Sequence, residues 1–545
     1  MMFLYIRKRY KENVFLFIII AISTFLKIES AFLTADAFNG LIAGDTEVFV
    51  RGAILAALLY FVYVILLAFR TWYEVFVRQK MLADIRNDIV SSYVKTNPNK
   101  DSESNIISWL TMDINRIDNE GYGSFYKITE AIVEVTLSIF ALIYINWLLM
   151  LSIVLLAVLN LILPKLLDKQ MAESFGQLTS KQEKFTIAIN NIAGGFKHLF
   201  SLNQQKYFSL KAGEEIESIR EVETSTYKIV GAVTFLAAFG NVLGQIGSFI
   251  LSGFFVVNKL ISFGQVISVS TISVDIFNGV SNLSSSIIEM MGIFPIFEKF
   301  QSLQKGIQEE SLKDDSKIQN FEFTDAVTLK DLTLSLEGNE IFSCANFTFQ
   351  KGKKYCLVGA SGTGKSTLLK ILNGGMSYDR GTVAFDDTLI ADISGSSLRS
   401  QITYVEQYPY VFDGTVRENI LLKNKNLEGK IEEILTSVGL LEEVKKLPKG
   451  LDTVIGSEGV SLSGGQQQRL SLARALINGG NFLLLDESTS SLNRELARMI
   501  EKNLLSNHQY TIIAITHHLS SEMKPYFDEI IELKEGKIVI QNSEK

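Results

Sequence analysis

Gly359-Ala360-Ser361-Gly362-Thr363-Gly364-Lys365-Ser366 follows the apolar run Lys354-Tyr355-Cys356-Leu357-Val358 and precedes Thr367-Leu368-Leu369-Lys370-Ile371-Leu372. The order reads as strand, glycine-rich loop, helix, which is the context in which G-x-x-x-x-G-K-[ST] forms a P-loop. The glycines let backbone N–H groups turn inward on an anion, and the helix N-terminus adds its dipole. Lys365 is then placed to reach the β- and γ-phosphates of a nucleoside triphosphate. The Ser366 hydroxyl is placed to ligate Mg²⁺, and Thr367 opens the helix beneath the loop.

A second stretch, Phe482-Leu483-Leu484-Leu485-Asp486-Glu487, reads as an apolar strand ending in two carboxylates. Beside a P-loop, the first carboxylate can hold Mg²⁺ and the second can polarise an attacking water. A general base must lie within hydrogen-bond reach of that water, which sequence order does not establish. Short β-like and helix-like runs alternate from about residue 321, so this half is expected to be an α/β domain.

Working back toward the N-terminus, the character changes. A bilayer core of about 30 Å needs roughly 20 helical residues. Apolar runs cover 14–34, 48–69, 128–163, 229–257 and 266–291. The third is too long for one span and carries Asn146-Trp147 near its middle, so it reads as two spans joined by a tight turn. That makes six spans. Arg7, Lys8, Arg9 and Lys11 precede the first, which predicts a cytoplasmic N-terminus. A basic start, an apolar run and Ala35-Asp36-Ala37 also resemble a secretory signal peptide; the length of the run and the spans behind it favour a retained helix. About 12 residues precede that helix, too few for an accessory domain. Lys27, Glu29 and Asp275 are costly in lipid. Lys27 and Glu29 are expected near a span end or in protein contact. Asp275 either lines a substrate cavity or pairs structurally. Asn241 and Gln245, four apart, share a helix face and are expected to hydrogen-bond between helices.

The chain of 545 residues is long enough for two or more domains, and 47% of it is apolar. Lys+Arg 52 against Asp+Glu 59 gives no reason to expect a nucleic-acid partner. Cys344 and Cys356 form no disulfide framework and no CxxC pattern, and read as two ordinary buried thiols. The four histidines show no zinc-site spacing.

Residues of about 325–540 strongly resemble the nucleotide-binding domain of ATP-binding-cassette transporters. Leu462-Ser463-Gly464-Gly465-Gln466 matches the family signature without change. The resemblance implies that this segment caps the γ-phosphate of an ATP held by an opposing domain, through Ser463, Gly464, Gly465 and Gln466. Gln407, in Tyr404-Val405-Glu406-Gln407, matches the Q-loop, so Ser366, Gln407 and Asp486 are the implied Mg²⁺ set. His517 matches the switch histidine, so Glu487, His517 and Lys365 are the implied catalytic set. Six spans followed by one cassette resemble the exporter-type half-transporters.

Three positions depart from the family pattern. Leu336 stands where an aromatic residue usually stacks on adenine, and Phe342 is the nearby candidate to replace it. Asn493 stands at the D-loop aspartate, which touches the opposing site. Ser457 stands where exporters often have Glu, with Glu458 next to it.

The expected fold is a multi-domain membrane protein. It has an all-α six-helix transmembrane domain over 1–297, a solvated linker over 298–320 and an α/β P-loop cassette over 321–545. The expected function is ATP-driven export of an amphipathic or peptide-like substrate across the cell membrane by a dimer. A homodimer is favoured because one chain supplies both halves of an ATP site; a heterodimer is compatible. The alternatives are an importer with the exporter fold and an ATP-gated sensor or channel.

Overall fold

The structure is a computed structural model of the chain and describes residues 2–94, 103–336, 338–422, 424–516 and 519–541. The chain divides into two compact units, one running to Gln304 and one beginning at Lys305.

The first unit is helical. A short helix, α1 (Met2–Lys8), buries Met2 and Tyr5 and ends in Arg7 and Lys8. The helices α2 (Tyr10–Ile42) and α3 (Thr46–Tyr93) follow. Asp45 caps α3, its side chain accepting from the N–H groups of Glu47 and Val48, which fixes the tight reversal between the two. Next come α4 (Ser124–Ile145) and α5 (Trp147–Lys165). The predicted turn falls between them. Asn146 is extended (φ −167°, ψ 121°), and its side chain accepts from Leu148 and Leu149 at 3.0 and 3.2 Å. One extended residue with a capping side chain is enough to reverse the chain. The helices α6 (Asp168–Gly194) and α7 (Phe196–Ser201) lead into α8 (Gln205–Val257), with α9 (Phe263–Met291) after it. Among the described residues, six helices of this unit are long and apolar enough to cross a membrane.

Ahead of α4, the backbone runs through two π-helical segments, Trp109–Asp113 and Ile117–Gly123. Wide turns of this kind release carbonyls from the helical ladder. Arg78 occupies one of them: its Nη2 donates to the Asp118 carbonyl at 3.0 Å and its Nε to the Asp118 carboxylate at 2.7 Å. Where α9 begins, Gly264 lies so close to α2 that an added Cβ would sit 2.1 Å from the Ala35 carbonyl, while its N–H donates to Asn39 Oδ1. Only glycine permits that approach.

The stretch expected to be a linker, 298–320, is helical as far as Asp315, as part of α10 (Phe294–Asp315). The apolar stripe fades there, but Glu, Gln, Lys and Leu are strong helix formers and sustain the helix without it. The chain then pairs Ile318 with Ile393.

Among its described residues the second unit holds two main sheets and a two-stranded pair, Gly414–Thr415 with Val454–Ile455. Strands β1 (Ala326–Leu336), β2 (Asn339–Gln350) and β4 (Arg380–Phe385) are antiparallel, in the order β2-β1-β4, extended by Thr388–Leu389. The larger sheet contains β3 (Lys354–Val358), β5 (Ile402–Val405), β6 (Phe482–Asp486), β7 (Thr511–Ile515), β8 (Glu529–Lys534) and β9 (Lys537–Ile540), in the order β9-β8-β3-β7-β6-β5. Its central pairs are parallel, and β3 and β6 are apolar runs buried along almost their whole length, as expected for strands covered on both faces. Cys356 is buried there, and burial pushes its thiol up to about 12. Cys344 is not buried: it lies exposed at a bulge of β2 with φ 49°, because the antiparallel sheet has a solvated face.

Asp386 closes the β4 turn. Burial raises its carboxyl. The N–H groups of Thr324, Asp325 and Ala326 and the Thr324 hydroxyl outweigh that effect and hold it below the usual carboxylate range. A lowered folded-state value stabilises above the unfolded pKa, near 4, and the gain is lost as pH falls through the folded value. Asp386→Asn is therefore expected to lower the melting temperature of the purified protein at pH 7 and to weaken its dependence on pH below about 4, measured by a thermal-shift series.

Candidate functional site

Strand register places the catalytic candidates at one edge. Leu357 of β3 pairs with Ile515 of β7, and Ile515 pairs with Asp486 of β6. Val405 of β5 pairs with Leu485. Because these strands are parallel, the P-loop, Glu487 and the segment leading to Gln407 all leave the sheet at the same end. This is where open parallel sheets place their ligands.

The P-loop is built as its composition requires. Gly359, Gly362 and Gly364 have φ of 145°, 84° and 94°. Ser361 and Gly362 face outward and are exposed. An added Cβ at Gly364 would meet Ile341 at 2.5 Å and the Phe342 ring at 3.2 Å, so that position is closed to other residues on two grounds. Thr363 Oγ1 donates to the Ala360 carbonyl at 3.0 Å. The loop runs into α11 (Lys365–Leu372), where Thr367 is half-buried. Lys365 is 7% exposed, and its Nζ donates to the carbonyls of Gly359 (2.9 Å) and Ala360 (2.8 Å). Its charge is thus held directly over the cradle.

At the end of β6, Ser366 Oγ donates to Asp486 Oδ1 at 3.1 Å, and the Tyr404 hydroxyl donates to Asp486 Oδ2 at 3.2 Å. Burial first, and the adjacent Asp486 second, push the Tyr404 phenol above its ordinary value. Glu487 adopts a left-handed conformation, φ 50°, with its N–H on the Ile515 carbonyl at 3.2 Å. A non-glycine residue in that region is strained and persists only where its surroundings fix it. Gln407 Nε2 holds the Glu487 carboxylate at 2.8 Å. His517 and its neighbour His518 lie outside the described residues.

The hydroxyl of Ser366 and the carboxylate of Asp486 form an all-oxygen pair, which suits Mg²⁺. That ion is usually held by one or two protein oxygens together with phosphate and water. Among the described residues no group of three His, Cys, Asp or Glu makes an all-protein metal site. The residues present fit a metal that arrives with its nucleotide.

Ser463 caps α12 (Gly464–Asn478) in a reciprocal capping box with Gln466. The Gln466 side chain is committed to that box and to Glu443 at 2.7 Å. Ser463 and Gly464 are exposed at the start of this 15-residue helix, with Gly465 half-buried behind them. A helix N-terminus presenting free donors is suited to an anion. Asn493 caps α13 (Arg494–Leu505), accepting from Leu496 N at 2.8 Å. Asn retains the cap an aspartate would make and removes only its charge. Ser457 donates both its N–H (2.6 Å) and its hydroxyl (2.9 Å) to Asp413. A glutamate at 457 would place a second carboxylate against Asp413, so serine is the residue this joint accepts. Leu336 packs half-buried against the antiparallel core. Phe342 is fully buried beneath Gly364 and so does not replace the missing adenine contact. β2 turns its ring into the core because the P-loop needs an apolar floor.

The model for the ABC transporter family matches residues 342–490, and the model for the ABC transporter transmembrane region matches residues 14–280. The chain belongs to the ABC transporters. It is 28% identical over 428 residues to the uncharacterized ABC transporter ATP-binding protein YwjA of Bacillus subtilis, covering 76% of this chain and 73% of the relative. It is 28% identical over 467 residues to an ATP-dependent lipid A-core flippase of Pasteurella multocida, covering 81% and 76%. To the flippase of Desulfotalea psychrophila it is 36% identical, over 41% of this chain and 39% of that one. Its fold matches a bacterial Atm1-family ABC exporter solved with ATP bound, with TM-score 0.83 at 18% identity, covering 97% of this chain and 94% of the other. This ABC transporter is therefore a half-transporter of the exporter type: a multi-pass membrane protein whose ATPase cassette is coupled to transport. The half-transporter architecture implies dimerisation.

Two residues of the site carry no motif signal. Gln468 is 1% exposed on α12; its Nε2 donates to the Glu487 carbonyl at 3.0 Å and its Oε1 accepts from Ser491 N at 3.0 Å. It ties the signature helix to the strained turn at Glu487. Arg474, on the same helix, donates to the Asn419 and Tyr410 carbonyls and lies 4.9 Å over the Phe412 ring, anchoring the segment after Gln407. Gln468→Leu leaves the Glu487 turn with fewer supports and a buried N–H without its partner, at a cost of about 1–3 kcal/mol. The expected result is ATPase turnover reduced at least severalfold with ATP affinity much less affected, checked by steady-state kinetics beside nucleotide titration.

Proposed function

We propose that this chain exports an amphipathic or peptide-like substrate across the cell membrane by alternating access, as one half of a dimer. The observation that carries the reading is the joining of Ser366, Asp486, Glu487 and Gln407 at one sheet edge, in a chain that also presents an intact Leu462–Gln466 segment. Two copies would supply two complete ATP sites, each with the P-loop of one chain and the Ser463, Gly464 and Gly465 donors of the other, with Gln466 holding Ser463 in place through the capping box. One chain carries both halves, which favours a homodimer.

In this reading, Gly359 to Thr367 bind the triphosphate, and Lys365 leaves its loop carbonyls for the β- and γ-phosphates. Ser366, Asp486 and Gln407 would hold Mg²⁺, which would neutralise phosphate charge. Glu487 orients and polarises the attacking water as general base, and His517 contacts the γ-phosphate. Nucleotide between two cassettes closes them, and hydrolysis lets them part. The basic N-terminal segment supports a cytoplasmic N-terminus in this reading, and an even number of spans would return the cassette to the same side.

Replacing Glu487 by Gln keeps the Gln407 and Gln468 contacts sterically possible and removes the base. ATP turnover is expected to fall at least a hundredfold, within the range that general-base catalysis contributes, while ATP binding persists. Near-normal turnover in a malachite-green assay would remove Glu487 from the role.

A further inference from the structure

Inside the membrane unit, charged side chains meet where lipid-spanning helices pack together. Lys27 on α2 donates to Asp275 on α9 at 2.6 Å, and Glu134 on α4 lies 3.9 Å from the same ammonium. Arg70 on α3 pairs with Glu130 at 2.7 Å, one helical turn from Glu134. The two cations Lys27 and Arg70 thus face three carboxylates, Asp275, Glu130 and Glu134. Asp275 and Glu130 take the short contacts. Glu134 keeps the long one, and among the described residues Lys27 is its sole ion-pair partner.

An excess carboxylate at this depth is costly, and such groups mark ligand pathways. Glu134 lies 11 residues from the end of α4 at Ile145, about 16 Å along the helix axis, near the middle of a bilayer core. Its side chain is 19% exposed, as is that of Lys27, so the cluster is accessible rather than sealed. Two further groups in this neighbourhood lack partners. Ser138, fully buried one turn beyond Glu134 on the same helix face, has no hydrogen-bond partner for its Oγ. Arg70, 9% exposed, has none for its Nε. The Tyr63 ring stands 5.9 Å from the Lys27 ammonium, an aromatic face suited to a cation. Neutral amides continue the polar surface along α9: Asn278, one turn from Asp275, accepts from Asn241 at 2.8 Å, which in turn accepts from Gln245 at 2.6 Å. A serine oxygen without a donor and a carboxylate that shares its cation with Asp275 at the longer distance are complementary to a multi-donor cation.

We propose that Glu134, with Ser138 beside it and Asp275 across from it, receives a cationic group of the transported substrate, an ammonium or guanidinium on an otherwise amphipathic molecule. The inference rests on the transporter reading and narrows its substrate class. Lys27 serves as the counter-cation that keeps the two carboxylates together when no substrate is present. Asp275 pairs structurally with Lys27, and in this proposal it also adds negative charge beside Glu134.

The test uses the full chain in lipid nanodiscs and the fluorescent amine dansylcadaverine, with the neutral dansyl amide as its uncharged counterpart. Wild type is expected to bind the amine at least tenfold more tightly than the amide. Glu134→Gln should abolish that preference. Asp275→Asn should weaken it, because Lys27 then turns to Glu134. Glu134→Asp, which keeps the charge, should retain most of it. An ATP-induced thermal shift in each variant checks that it is folded. No preference in wild type, including no binding of either probe, overturns the inference. So does an unchanged preference in folded Glu134→Gln, or loss in Glu134→Asp equal to that in Glu134→Gln. Binding is read without turnover, so failure here leaves the ATPase and transporter reading standing, and loss of ATPase activity would not mimic it.

Discussion

Two adjacent carboxylates at the end of one buried strand organise the cassette. Asp486 gathers the P-loop serine and Tyr404. Glu487, turned into a left-handed conformation, gathers Gln407 through its carboxylate and Gln468 through its carbonyl. One strand terminus therefore touches the phosphate loop, the Q-loop and the signature helix at once. Strain at Glu487 is tolerable because hydrogen bonds at its N–H, its carbonyl and its carboxylate fix it. The arrangement has a mechanical consequence: a change in charge at the phosphate loop is felt at Asp486, one peptide bond from the residue whose carbonyl steadies the signature helix.

The membrane unit works by different rules. Backbone polar groups must be satisfied within the helices, so side-chain hydrogen bonds and ion pairs are left to decide which helices meet. The ion pair between Lys27 and Asp275 joins α2 to α9, Asn241 with Asn278 joins α8 to α9, and Gly264 lets α9 begin against the α2 backbone. These contacts are specific where apolar packing alone is not, since lipid is as apolar as leucine.

Much of this was legible in the sequence. The six apolar helices, the turn at Asn146 and the strand–loop–helix around Gly359–Ser366 follow from length, capping chemistry and glycine spacing. The hydrogen bond between Asn241 and Asn278 fulfils the expected interhelical contact for Asn241, whereas Gln245 bonds to Asn241 on its own helix; Lys27 proves to be in protein contact, as its cost in lipid requires. Other features were not legible, for physical reasons. Nothing marks Gln468 among three consecutive glutamines, because its role depends on which one faces Glu487. Phe342 looked free to stack on a base, but a strand alternates faces and this residue points to the core. The fit of Ser457 depends on Asp413, 44 residues away. The stretch 298–320 reads as a solvated linker yet is helical as far as Asp315, because helix propensity persists where amphipathic periodicity stops.

The central claim is that one chain carries half of each of two ATP sites. The most direct measurement is the ATPase activity of purified mixed dimers, with differently tagged chains carrying Lys365→Ala and Ser463→Arg. Placed on opposite chains, the two lesions fall in the same composite site and leave the other intact, so about half or more of the activity of a dimer with one lesion should survive, a loss small beside the general-base effect. Placed together on one chain opposite a wild-type partner, they fall in both sites and activity should vanish. The reverse pattern, activity surviving with both lesions on one chain and lost when they are on opposite chains, would contradict the account.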